Sequence, residues 1–170
     1  MNSVTHSPAV LASLPPVHAV AEMMRIGGQS IHRFNAQQAT MYIGLMLEEL
    51  RETLACVAAG QVDHGNAPQL EALIGLMNVV GAKFKSGLHM GDVARADRAE
   101  LLDGMIDTAV VSFGAAISIS NNAAGAWREV MRANFSKFPD GVALRDANGK
   151  IMKPAGWTGP DLLEYISTDD

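Results

Sequence analysis

The sequence predicts an all-α fold, a bundle of four or five helices with an irregular C-terminal extension. Three observations carry that expectation. Ala, Leu and Met dominate over β-branched residues in a chain that is 48% hydrophobic and 18% charged, a mixture that favours helix over sheet. Apolar residues recur at helical spacing, as in Leu102, Met105, Ile106, Ala109, Val110 and Phe113. Ten methionines stand against nine aromatics, and the flexible Met side chain packs well on helix faces. At 170 residues the chain is long enough for one domain with a real core.

The elements follow in order. Residues 1–14 are small, polar and proline-bearing and are expected to form a flexible N-terminus. A helical body over 15–135 begins with Pro15 or Pro16 opening a helix that runs to about Ile26 and stops at Gly27-Gly28. A second helix runs from an Asn35 N-cap to Ala59, with Gly60 as its stop. Residues 61–67 read as a loop, and Pro68 suits the first turn of a third helix to about Val80. Gly81, Gly87 and Gly91 mark another loop. A fourth helix starts near Asp92 or Val93 and continues to Ser120. A break at Asn121 or Asn122 precedes a fifth helix, Ala123 to Phe135. Over 136–170, Gly, Pro and Asn punctuate an extension in which Asn148-Gly149 suits a hairpin turn joining Val142–Arg145 to Lys150–Lys153. A last helical turn is expected within Pro160–Ile166.

Two acidic sets stand out on these helices. Glu48, Glu49 and Glu52 lie on the second, and Glu100, Asp103 and Asp107 on the fourth. Residues three or four apart share a helix face. The remainder of each face is apolar or small (Leu45 and Cys56 on one, Ala99, Val110 and Gly114 on the other), so the acids are expected to interrupt buried stripes. Buried carboxylates without compensation are strongly unfavourable, which makes a hard divalent cation between them the leading candidate.

Charge and motifs exclude several function classes. A net charge of −5 and a pI near 5.5 argue against nucleic-acid binding. The charge is uneven: Arg128 to Lys153 holds six basic and three acidic residues, a net +3 that leaves −8 for the remainder. A single cysteine, Cys56, excludes an internal disulfide and fits a reducing interior. The longest apolar stretch, Ala109–Ile119, is too short to span a bilayer, so no membrane partner and a cytoplasmic location are expected. No histidine stands three residues after a glutamate of the acidic sets, as di-iron bundles require. No glycine-rich phosphate loop follows a strand.

The chain resembles the MazG-like, all-α nucleoside triphosphate pyrophosphohydrolases, above all their phage-type branch. Glu48-Glu49-Leu50-Arg51-Glu52 matches that family's E-E-x-x-E signature. Glu100 to Asp103 and Asp103 to Asp107 match forms of its second acidic pair. The phage-type tail is matched by Asn134-Phe135-Ser136-Lys137, then Asp140-Gly141, then Gly149-Lys150-Ile151-Met152-Lys153-Pro154. The likeness covers about residues 30–160. The chain departs from it at position 104, a glycine where many relatives carry the glutamate of a pair ending at Asp107, leaving Asp103 or Glu100 as the substitute.

The resemblance implies Mg²⁺-dependent hydrolysis of a (d)NTP between its α- and β-phosphates, giving a monophosphate and pyrophosphate in the cytoplasm, that of the host if phage-encoded. Glu48, Glu49, Glu52, Asp103 and Asp107 are the implied metal ligands, for Mg²⁺ or Mn²⁺, with Glu49 or Glu52 as the catalytic base. Lys137, Lys150 and Lys153 are the implied phosphate contacts and Asn134 a contact to a phosphate or the base, while Phe34 and Asn35 stand where they could line a base pocket. A purine, guanine first, is the expected base, and a homodimer or homotetramer the expected assembly. The alternatives are a pyrimidine pyrophosphatase of the same fold and a non-catalytic helical interaction or nucleotide-binding protein.

Overall fold

The computed structural model describes residues 7–60, 67–146 and 151–168. Among them are seven α-helices and no β-strand, the all-α class that the composition predicts. The chain divides into two units, His32–Arg98 and a second made of Met1–Ile31 with Ala99–Asp170. These boundaries differ from those expected after residues 14 and 135.

The unit His32–Arg98 is built on two long antiparallel helices, α3 (Ala36–Ala59) and α4 (Ala67–Lys85). Asn35 caps α3, its side-chain oxygen accepting from the Gln38 N–H at 3.0 Å. The two helices cross at Gly44 and Gly81, both buried. A Cβ on Gly44 would lie 2.8 Å from both the Gly81 carbonyl oxygen and the Lys85 nitrogen, so the backbones meet where only glycine fits. Gly81, expected in a loop, thus lies inside α4, which runs five residues beyond Val80. Its role there is close approach rather than chain reversal. Thr40, fully buried one turn before Gly44, turns its hydroxyl onto the Ala36 carbonyl at 2.6 Å.

The expected helix from Asp92 to Ser120 is two helices. A short α5 (Met90–Arg95) buries Val93. The chain then becomes extended at Ala96, with ψ 151°, before α6 (Arg98–Ser118) begins.

The second unit packs α1 (Pro8–Ala12) and α2 (Pro16–Ile26) on α7 (Ala123–Phe135). Its core is Leu11, Ala12, Ala19, Met131 and Phe135, flanked by Leu14, Met23, Ile26 and Trp127. The chain start is therefore more organised than its composition suggests: Ser7 caps α1, and Leu11 and Ala12 are core residues. α7 carries its apolar residues on one stripe and buries Met131, Ala133 and Phe135.

The tail is tied back onto this unit. Tyr165 offers its carbonyl to the Ser120 hydroxyl at 2.7 Å and to the Asn121 N–H at 3.1 Å. Arg145 donates to the Gly27 carbonyl. The expected hairpin is represented by an antiparallel bridge between Arg145 and Ile151, with the Met152 N–H on the Leu144 carbonyl at 2.8 Å. Its turn, including Asn148-Gly149, lies outside the described residues. The expected last helical turn is a 3₁₀ turn, Leu163–Tyr165.

α6 is unlike the rest: none of its residues is buried. Its Leu102, Ile106, Val110, Val111 and Ile117 are all more than half exposed. Among the described residues it is the one helix long and apolar enough, by length and composition, to cross a membrane. Glu100, Asp103 and Asp107 occupy its first half, and the rest of the helix, Thr108–Ser118, carries no charge.

Candidate functional site

The two acidic sets belong to different units. On α3, Glu48 is half-buried and pairs with Lys85 at 2.9 Å, a contact made between α3 and α4 just below the glycine crossing. Glu52 is exposed and takes a hydrogen bond from Arg51 at 2.9 Å. Glu49, between them, is exposed. On α6, Asp103 and Asp107 stand one helical turn apart and exposed, and Glu100 is exposed in the first turn. The expectation that these acids interrupt buried stripes is not met. Cys56, expected as a packing residue, is exposed, and so are Ala99, Val110 and Gly114 beside Asp103 and Asp107.

This bears on a metal. Among the described residues no three His, Cys, Asp or Glu side chains are grouped so as to hold an ion. Mg²⁺ retains several waters and takes one or two carboxylates together with substrate phosphates. The Asp103–Asp107 pair, one turn apart and accessible, suits that partial role. On α3, Glu49 is accessible, and Glu48 has one oxygen on Lys85.

The basic candidates are gathered more closely. α7 ends at Phe135, and just beyond it Lys137 reaches back to donate to the Asn134 side-chain oxygen at 2.7 Å. Trp157 comes from 20 residues further on. Pro154 to Trp157 forms a tight turn, with the Trp157 N–H on the Pro154 carbonyl at 3.1 Å and Gly156 at φ 76°, a backbone angle that favours glycine. The turn lays the indole on the end of α7, where its N–H donates to the Ala133 carbonyl at 2.8 Å. That bond satisfies one of the carbonyls a helix leaves open at its C-terminus. Lys153 lies 4.2 Å and Lys137 5.5 Å from the same ring centroid, within cation–π range. Lys150 lies outside the described residues.

The base-pocket candidates have structural employment. Asn35 spends its side-chain oxygen on capping α3. Phe34 is half-exposed, with the Arg98 guanidinium 4.0 Å above its ring. Neither is among the residues that line the small pocket beside Glu48.

Sequence reasoning did not single out the ion pair on α7. Glu129 receives two bonds from Arg132, at 2.7 and 2.6 Å, and a third from the Asp161 N–H at 3.1 Å. The Arg132 bonds, helped by that N–H, lower the Glu129 carboxyl from its ordinary 4.5 to about 2. The i,i+3 spacing of Glu129 and Arg132 was the available signal, but it does not disclose the third bond from the tail.

Comparisons with protein-family models, with characterised proteins and with solved structures give no match. The fold class is all-α, and a functional reading has the residues alone to rest on.

Proposed function

We infer that this chain is a Mg²⁺-dependent nucleoside triphosphate pyrophosphohydrolase, cleaving a purine (d)NTP, dGTP or GTP first, to a monophosphate and pyrophosphate. The observation that supports this reading best is the grouping of Asn134, Lys137 and Lys153 around Trp157. These are the tail residues in which the resemblance to MazG-like enzymes is most specific, and they present two ammonium groups and an amide at one place. The accessible carboxylates Glu49, Glu52, Asp103 and Asp107 are the accompanying acids.

Bound Mg²⁺, or Mn²⁺ in its place, would supply Lewis acidity at the α-phosphate and a more acidic water. The chain's own part is threefold. Asp103 and Asp107, with Glu49, hold the ions. Glu49 or Glu52 accepts the proton of the attacking water. Lys137 and Lys153, with Lys150, neutralise the β- and γ-phosphates and the departing pyrophosphate.

The test is Mg²⁺-dependent release of pyrophosphate from a panel of (d)NTPs, lost in Asp107→Asn and Glu52→Gln while the helical content is kept. Release of inorganic phosphate alone would place the cleavage elsewhere, and preference for dUTP or dCTP would select the pyrimidine alternative.

A second reading, a helical assembly protein, is favoured by the exposure of α6. Its apolar surface suits burial against further helices in a homodimer or homotetramer, an assembly that either reading accommodates. In a pure assembly protein, Glu52→Gln would change oligomer size in sedimentation and Mg²⁺ would leave the melting temperature unaltered.

A further inference from the structure

A cavity of about 270 Å³ opens beside α1 and α7, and none of the proposed metal, phosphate or base contacts lines it. Its floor is small and apolar, from Ala9 and Ala12 of α1 and Gly125 of α7. One wall is the Tyr165 ring. A Cβ on Gly125 would fall 2.6 Å from Tyr165 Cε1, so the ring rests directly on the α7 backbone. Tyr165 is fixed there by the two hydrogen bonds its carbonyl accepts from Ser120 and Asn121.

The facing wall is polar, and its charges are not balanced. Arg132 is committed to Glu129 through two bonds, and that pair is neutral as a unit. Arg128, one turn earlier on the same helix, also lines the cavity. It is exposed and makes no ion pair or hydrogen bond among the described residues. Glu164 is not among the lining residues; its negative charge beside the Tyr165 hydroxyl raises that phenol's pKa.

We propose that this cavity binds a small organic anion, a carboxylate or phosphate ester, with its charged group on Arg128 and its apolar body between the Tyr165 ring and the alanine floor. A guanidinium with its donors uncommitted matches either oxyanion in a two-pronged geometry. A volume just under the usual range for drug-sized ligands limits the guest to about one ring with one charged group. The site is independent of the proposed hydrolase activity and stands or falls without it.

Backbone amide NMR of the full chain, titrated with benzoate, phenyl phosphate and inorganic phosphate, tests this. Benzoate or phenyl phosphate should shift the Gly125, Arg128 and Tyr165 amides saturably, and inorganic phosphate should bind at least about tenfold more weakly because it lacks the apolar body. Arg128→Gln should weaken binding about tenfold or more, with Arg128→Lys between it and wild type. Ala9→Phe, a change at an exposed position, should block the floor while leaving Arg128 in place. The proposal is overturned if no probe gives a saturable shift, if Arg128→Gln or Ala9→Phe binds as wild type, or if inorganic phosphate binds as well as the ring-bearing anions.

Discussion

α6 and α7 are neighbours in sequence, both are rich in apolar residues, and they have opposite fates. α7 confines its large apolar residues to one stripe and buries Met131 and Phe135 at 2% exposure. α6 sets Leu102, Ile106, Val110 and Ile117 on one side and Val111 opposite them, and buries none of the five. The α7 stripe is covered by α1 and α2. α6 carries a stripe of the same kind that no packing among the described residues buries. Hydrophobic periodicity thus identifies a helix and its apolar face, but it does not tell whether a neighbour covers that face.

The largest effect should come from truncating both helices. Phe135→Ala is expected to cost about 3–5 kcal/mol of stability in chemical denaturation, from lost burial and the cavity left behind. Val111→Ala on α6 should change it by no more than about 0.5 kcal/mol. A comparable cost at both positions would show that α6 is covered in solution. Repeating the pair across protein concentrations would then tell whether a second copy supplies the cover.

Glycines sharpen the contrast. Gly44→Ala should cost about 1–3 kcal/mol, because the new Cβ meets backbone of α4 that has no room to retreat. Gly114→Ala, with open space around it, should instead stabilise α6 by about 0.5–1 kcal/mol through helix propensity. A melting temperature that falls on Gly114→Ala would mean that something packs closely on α6.

The smallest effect separates α7 electrostatically. The Glu129 carboxyl is depressed from 4.5 to about 2, so its contribution is fully present above the unfolded-state value and is lost as pH falls toward 2. Wild type should therefore lose stability over that acid window more steeply than Glu129→Gln. Parallel pH profiles would show that the Arg132 bonds contribute nothing net.

Much of the fold was legible in the sequence, because local signals set it. Asn35, Gly60 and the Asn121-Asn122 break mark helix ends through capping and turn chemistry that act within a few residues. The misreadings came where distant packing decides. Gly81 reads as a loop residue until α3 is seen against it. Leu11 and Ala12 read as part of a polar tail until α7 covers them. Ala96 gives no local warning of the break between α5 and α6. For the candidate site, the tail motif pointed to Asn134, Lys137 and Lys153, but not to the tryptophan bond that fixes their common ring. The acids were legible as helical pairs, whereas their exposure was not, since spacing along one helix says nothing about what faces it.

The most direct test of the proposed activity is product chromatography after incubating the full-length protein with each common (d)NTP, with and without Mg²⁺. The account predicts a purine monophosphate and pyrophosphate in equal amounts, only with the metal, and neither from Asp107→Asn. Intact triphosphate throughout, or diphosphate with inorganic phosphate, would contradict it.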